Sequence, residues 1–181
     1  EHGGMEPRRR RRAADQLAAE LLRRDRNYII TDADVLAVLS LWHFKENTVR
    51  KNVIPAGQSS VFSCTLGLVR DRTGKIVVEA ATRKYPAVLR VLAVWLRQSL
   101  PSSLPMRFPF TSVSVNYAYA ARRHRDGFNA GPSLTKALGA FEGGRLLAWP
   151  DDDGRTALEV SPERAGESTK ARGFNMPVSY T

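Results

Sequence analysis

The sequence has little cysteine, little histidine and no long apolar segment. Its 181 residues include one cysteine, Cys64, which excludes an internal disulfide and a zinc site built from several cysteines. The apolar neighbours of Cys64 predict a buried, unreactive thiol. Charged and polar side chains interrupt the longest apolar candidate, residues 88–100, so no membrane-spanning segment is predicted. No apolar segment follows the N-terminal arginines, which favours an intracellular protein, an organelle included, over a secreted one.

Positive charge exceeds negative charge, with 28 Lys and Arg against 18 Asp and Glu and a net charge of +10. The densest basic segment is Arg8–Arg12, which is either a solvated tail or an anion-binding surface. A basic chain favours nucleic acid, an acidic protein or an anionic membrane surface as its partner. The aromatic residues occupy core-like positions rather than positions among the arginines, so base stacking is not indicated. Docking on a protein assembly through Arg8–Arg12 is therefore favoured over nucleic-acid binding.

Apolar spacing and turn residues predict helices first and strands later, with one long helix between the strands. The helices are expected at residues 13–24, 31–44 and 85–100. The strands are expected at residues 61–69 and 75–80, which form a hairpin, and at 110–120, 133–141 and 145–149. This order is typical of an α+β protein with a mainly antiparallel sheet. Short strands joined by glycine-rich turns favour a jelly-roll or barrel-like sandwich.

Composition divides the chain into three segments. Residues 1–12 are predicted to be a basic, disordered tail, and residues 13–149 a single domain. Residues 150–181 are rich in Asp, Gly, Ser, Pro and Glu and are predicted to be a polar tail, closed by a short segment at 174–180.

One pair of residues carries possible metal chemistry. His124 and Asp126 follow the best strand candidate, and residues two apart in an extended segment point to the same side. An imidazole and a carboxylate placed in this way are two of the three ligands of non-haem iron oxygenases. The same pattern also occurs in ordinary surface turns. A kinase catalytic loop is excluded, because Gly131 stands where that loop has Asn and no glycine-rich phosphate loop is present.

The surrounding sequence strengthens the iron interpretation. The residues concerned are Ser114-Val115-Asn116-Tyr117-Ala118-Tyr119, His124-Arg125-Asp126, Gly131-Pro132-Ser133 and Ala137-Leu138-Gly139-Ala140-Phe141-Glu142-Gly143-Gly144-Arg145-Leu146. Over about residues 110–149 the chain resembles the 2-oxoglutarate- and Fe(II)-dependent dioxygenase superfamily, in particular its prolyl-4-hydroxylase-like and algal members. The resemblance implies a double-stranded β-helix, or jelly-roll, supported by N-terminal and central helices.

By this resemblance His124 and Asp126 are iron ligands, and Asn116, Tyr117 and Tyr119 contact 2-oxoglutarate or the iron-bound end. The family has a second histidine several tens of residues after the first, whereas this sequence has none after His124. The resemblance therefore implies an oxygenase acting on a protein or small-molecule substrate with an incomplete metal triad. The alternative is a non-catalytic accessory or scaffold subunit that docks through its basic segments.

Two further side chains bear on this site. Arg172 lies where the family has a cationic partner for 2-oxoglutarate. His43, between Trp42 and Phe44, is interpreted as a partly buried structural histidine.

Overall fold

A computed structural model describes residues 6–24, 27–101, 108–124 and 133–141, together with the backbone of 172–179. The helices are α1 (Pro7–Arg23), α2 (Asp32–Leu41), α3 (Ala80–Lys84) and α4 (Pro86–Gln98). The strands are β1 (Glu46–Asn47), β2 (Val61–Arg70), β3 (Ile76–Val78), β4 (Ser112–Tyr117), β5 (Leu134–Ala140) and β6 (Arg172–Ser179). The α+β class is confirmed, and so is the predicted hairpin, which is the antiparallel pair β2–β3.

The described strands form one open antiparallel sheet in the order β1-β2-β4-β6-β5. Strand β3 pairs with the C-terminal part of β2, residues 68–70. Strand β6 lies between β4 and β5, so the assignment of residues 150–181 to a polar tail is wrong for 172–179. The pairing partners of β6 explain this error. Asn175 lies opposite Asn116 and Val178 opposite Val113, and local composition carries no record of such distant pairing. The strand expected at 145–149 lies outside the described residues.

The basic N-terminus is also ordered further than predicted. Helix α1 begins at Pro7 rather than at Ala13, and proline is well tolerated in a first helical turn. Arg10 donates from Nη2 to the Ser40 carbonyl at 2.9 Å, and Arg11 donates from Nε to the His43 carbonyl at 2.9 Å. These bonds satisfy carbonyl groups at and just beyond the end of α2, which lack partners within that helix. The expected disordered tail is therefore helical over residues 7–12.

The start of α2 follows its local sequence, and its end does not. The side chain of Thr31 accepts a hydrogen bond from the Asp34 amide while the Asp34 carboxylate accepts one from the Thr31 amide, so the two residues form a capping box. The helix ends at Leu41 rather than near Phe44, because Trp42 adopts an extended backbone conformation.

Helices α1, α2 and α4 pack together and cover one face of the sheet. Asp15 of α1 helps to join them, since its Oδ1 accepts hydrogen bonds from the amides of Ala87 at 2.8 Å and Val88 at 3.2 Å in the first turn of α4. The buried cluster beneath the helices includes Ala14, Ala18, Leu39, Trp42, Leu66, Leu92, Trp95, Val113, Val115 and Leu138. The opposite face of the sheet is not packed against these helices.

Among the described residues, no helix combines the length and apolar character needed to cross a bilayer.

Candidate functional site

The two faces of the β2–β4 pair differ in chemistry. Successive side chains of a strand point to opposite faces, so residues paired across two strands share a face. Leu66 lies opposite Val113, and both belong to the core under the helices. Thr65 lies opposite Ser114 on the other face. That second surface, called here the polar face, consists of Ser63, Thr65, Ser112, Ser114 and Asn116.

Hydrogen bonds organise the polar face. Thr65 and Ser114 hydroxyls lie 3.1 Å apart, and Asn47 Nδ2 donates to Ser63 Oγ at 3.3 Å. Ser63 and Ser112 are each only 7% exposed. Thr65, Ser114 and Asn116 are half-buried, so this face is partly shielded from water, and its hydroxyl groups need hydrogen-bond partners.

The predicted cofactor residues lie at or just beyond the end of β4, and of the three only Asn116 belongs to the polar face. Tyr119 Oη donates to Asn116 Oδ1 at 2.9 Å, and the Tyr119 ring packs against the buried cluster of Val53, Ile54 and Val61. The strand ends at Tyr117 rather than Ala120, because Ala118 adopts a positive φ of 52°. The chain turns there, which brings Tyr119 back to Asn116.

Tyr117 lies on the opposite face from Asn116. Its ring stacks on Phe44 with the centroids 5.5 Å apart, and it is paired with Phe62 on the helix-covered side of β2. The structure therefore brings together Asn116 and Tyr119 and separates Tyr117 from them. Strict alternation along β4 places neighbouring residues on opposite faces, so the three could not all face one ligand from the strand.

His124 is half-buried and its imidazole is held by the backbone. Nδ1 lies 2.6 Å from the Arg122 carbonyl oxygen, while the Arg122 amide donates to the Val53 carbonyl at 3.1 Å. A carbonyl oxygen can only accept, so Nδ1 is the donor in this contact, and in a neutral imidazole Nε2 would then be the nitrogen with the lone pair. This is the tautomer that metal-binding histidines commonly adopt when a backbone carbonyl orients them. Asp126, the second predicted ligand, lies outside the described residues.

The donor set suits iron in part. Imidazole and carboxylate together are ligands that Fe(II) accepts, and His124 has the orientation for such a role. No group of three His, Cys, Asp or Glu side chains able to hold a metal ion occurs within residues 6–24, 27–101, 108–124 and 133–141. A complete triad would therefore need ligands beyond those that are described. Arg172 begins β6 opposite Ala140, and the pairing of Phe174 with Tyr117 puts this end of β6 toward the end of β4 that carries Asn116 and Tyr117.

Two other titratable side chains serve the core. His43 is half-buried, and its pKa is lowered chiefly by burial and further by the charges of Arg11 and Arg10. This agrees with a structural histidine. Cys64 packs against the core, and burial raises the pKa of its thiol to about 12. A thiol with such a pKa carries almost no nucleophilic thiolate at neutral pH, as its apolar neighbours predicted.

An open cavity beside His124 was not predicted from the sequence. It has a volume of about 320 Å³ and lies between the β1–β2 connection and Arg122. Its lining includes Lys51 and Arg122, which are far apart in the sequence, so no local motif predicts that they lie close together. The available signal was the basic character of the Arg122-Arg123 pair.

Comparison with known protein families, with curated proteins and with solved structures finds no match to this chain.

Proposed function

We propose that this protein is an Fe(II)- and 2-oxoglutarate-dependent oxygenase that hydroxylates a protein or small-molecule substrate. The observation that carries the proposal is the placement of His124. Its imidazole is oriented by the Arg122 carbonyl, two residues before Asp126 and close in sequence to the Asn116–Tyr119 pair. The ordering of these groups along and beyond β4 is the one that the resemblance to this superfamily implies.

The two-faced sheet supports a jelly-roll as the architecture. In such a fold a ligand lies between two facing sheets, while helices cover the outside of one of them. The described sheet has helices on one face and buried serines on the other, as the inner wall of such a fold would have. The proposal requires a second sheet opposite the polar face.

Each side chain has a defined task in this function. His124 Nε2 and the Asp126 carboxylate would hold the iron. Asn116 Oδ1 accepts the Tyr119 hydroxyl proton, so the amide is oriented with Nδ2 as the donor that would hold a carboxylate oxygen of 2-oxoglutarate. The cluster of Val53, Ile54 and Val61 packs against Tyr119 and supports its ring from behind. When bound, the iron and 2-oxoglutarate supply the activation of dioxygen.

The test is an anaerobic Fe(II) titration with a matched pair of histidine variants. We expect one-to-one binding of Fe(II) that His124→Ala weakens by about tenfold or more, because a metal ligand is lost. His43→Ala removes a half-buried histidine from the core side and should leave Fe(II) affinity within about twofold. With dioxygen, the unmodified chain should convert 2-oxoglutarate to succinate. Fe(II) binding that is equally insensitive to both substitutions, with no succinate formed, would eliminate this function.

A non-catalytic accessory role is the second candidate, and the exposed arginines of α1 favour it. Arg10 and Arg11 are engaged with the end of α2, whereas Arg8, Arg9 and Arg12 are exposed. Arg8 and Arg12 are four residues apart and share one side of the helix. This side is suited to docking on an acidic protein surface.

Sedimentation of the chain in its native extract tests this role. Substitution of Arg8, Arg9 and Arg12 by Gln should release the chain from a large assembly, because the charge that holds it is lost. The same loss of charge at Arg70, Arg72 and Lys75 on the β2–β3 hairpin should not. A chain that sediments as a monomer before and after substitution would contradict the accessory role.

A further inference from the structure

The open cavity beside His124 has a polar and basic lining. It lies where the connection between β1 and β2 meets the segment after β4. Its polar lining residues are Thr48, Lys51, Gln58, Ser59 and Arg122, and Ile54 contributes apolar surface. At about 320 Å³ it lies at the small end of the range of ligand sites, which suits one polar group of a molecule rather than a large ring system.

Local hydrogen bonds hold the segment that carries Lys51 in shape. Asn47 Oδ1 accepts hydrogen bonds from the amides of Val49 at 3.1 Å and Arg50 at 3.2 Å. The Arg50 carbonyl then accepts from Val53 at 3.0 Å and from Ile54 at 3.3 Å. Two consecutive turns therefore enclose Lys51, and a preorganised wall lowers the entropic cost of binding.

The opposite wall is tied to the first one. The Val53 carbonyl accepts the Arg122 amide at 3.1 Å, and Val53 is itself 1% exposed. This bond fixes the backbone of Arg122 against the loop that contains Lys51. The two cationic residues consequently line one cavity although they come from different parts of the chain.

The charge of the cavity has one sign. Among the described residues, its lining contains Lys51 and Arg122 and no carboxylate, and Arg50 and Arg123 are their immediate neighbours in sequence. Like charges that meet in a concave site concentrate counter-ions there. Thr48, Gln58 and Ser59 add neutral donor groups, and hydrogen bonds from cations and hydroxyls to oxyanions are among the stronger ones.

We infer that this cavity binds a carboxylate or phosphate group of the substrate, an inference that rests on the proposed function. Arg122 connects the two sites, because it lines the cavity while its carbonyl oxygen lies 2.6 Å from His124 Nδ1. Two residues span at most about 7 Å of chain. An oxyanion held between Lys51 and Arg122 thus lies next to the chain segment that carries His124, so that the rest of the substrate could extend toward the proposed iron site. The oxyanion belongs either to a small phosphorylated molecule or to an acidic side chain of a peptide.

Calorimetric titration of the metal-free, full chain tests the inference, with inorganic phosphate and triglutamate as the two probes. The combined Lys51→Gln and Arg122→Gln variant should weaken binding of the preferred probe by about tenfold or more. The control, Arg72→Gln with Lys75→Gln, removes the same charge at the exposed β2–β3 turn and should change affinity less than about twofold. The probe that binds more tightly identifies the source of the oxyanion.

Single variants guard against misfolding. Lys51 is exposed, so Lys51→Gln should leave the thermal unfolding temperature unchanged and still weaken binding by about threefold or more. Affinity that is unchanged by all of these substitutions, or that falls equally in the control, would overturn the inference, since attraction would then follow net charge alone.

The two proposals fail separately, because the titration contains no iron. Probe binding that depends on Lys51 and Arg122 without His124-dependent Fe(II) binding would keep the anion site and remove the oxygenase. His124-dependent Fe(II) binding with probe affinity indifferent to Lys51 and Arg122 would keep the oxygenase and remove the anion site.

Discussion

One face of the β2–β4 pair packs in the core and contributes mainly to stability, whereas the other face carries the polar side chains of the candidate site. On one face Leu66, Val113 and Val115 are completely buried beneath the helices. On the other, Thr65 and Ser114 share a hydroxyl contact, and Asn116 receives the Tyr119 hydroxyl. Because strand residues alternate, each strand supplies both surfaces within a few positions. Adjacent residues of one strand can therefore contribute very differently to stability.

The sharpest test of this division uses two neighbouring residues of β2. Leu66→Ala should lower the free energy of unfolding by about 2–5 kcal/mol, because it leaves a cavity in the core. Thr65→Ala, on the polar face, should cost only about 1 kcal/mol through the lost bond to Ser114. Urea denaturation measures both. Equal losses for the two variants would refute the assignment of stability to the helix-covered face.

A second test addresses the place where β2 approaches the segment before β4. Gly67 has φ of +103°, and a Cβ added there would lie 2.3 Å from the Thr111 carbonyl oxygen. Gly67→Ala should destabilise the fold by about 2–6 kcal/mol, because strain and steric overlap each cost about 1–3 kcal/mol. Chemical denaturation provides the measurement.

Gly74 is the matched control for this substitution. Its φ is +85°, but a Cβ there meets only the Arg70 guanidinium, at 3.9 Å. Gly74→Ala should therefore cost about 1–2 kcal/mol through backbone strain alone. If Gly67→Ala proved as mild as Gly74→Ala, the close approach of β2 to Thr111 would be refuted.

Features that depend on near neighbours in sequence were predictable. The Thr31–Asp34 capping box, the β2–β3 hairpin and the proline at the start of α4 are each encoded within a few residues. In the candidate site, the proximity of Asn116 to Tyr119 follows from a turn at Ala118 that alternation alone did not reveal.

Features that depend on distant partners were not predictable. Arg10 and Arg11 look like part of a solvated tail until the carbonyl groups at the end of α2 are placed beside them. Strand β6 is a strand because it pairs with β4 and β5. The Lys51–Arg122 cavity forms only where two separate loops meet. Burial and charge in these places are properties of the fold rather than of any local pattern.

An ion pair joins α2 to β5 on the helix-covered side of the sheet. Lys136 of β5 donates to Asp32 Oδ1 at 2.9 Å, and Trp95 Nε1 donates to the same oxygen at 2.8 Å. The bond from Lys136, followed by that from Trp95, lowers the pKa of Asp32. Asp32→Asn should cost less than about 1 kcal/mol at pH 7, because the carboxylate is 57% exposed and screened by water.

The pH dependence decides whether this pair acts as a charge. Since the pKa of Asp32 is lower in the folded chain, its stabilisation is fully present above the unfolded value of about 3.9 and is lost as pH falls through the folded value. In urea denaturation, the unmodified chain and the Asp32→Asn variant should therefore differ at about pH 6, and the difference should shrink as the pH falls below the unfolded value of about 3.9. A difference that persists unchanged in acid would mean that the contact with Trp95, rather than the ion pair with Lys136, accounts for the contribution of Asp32 to the free energy of unfolding.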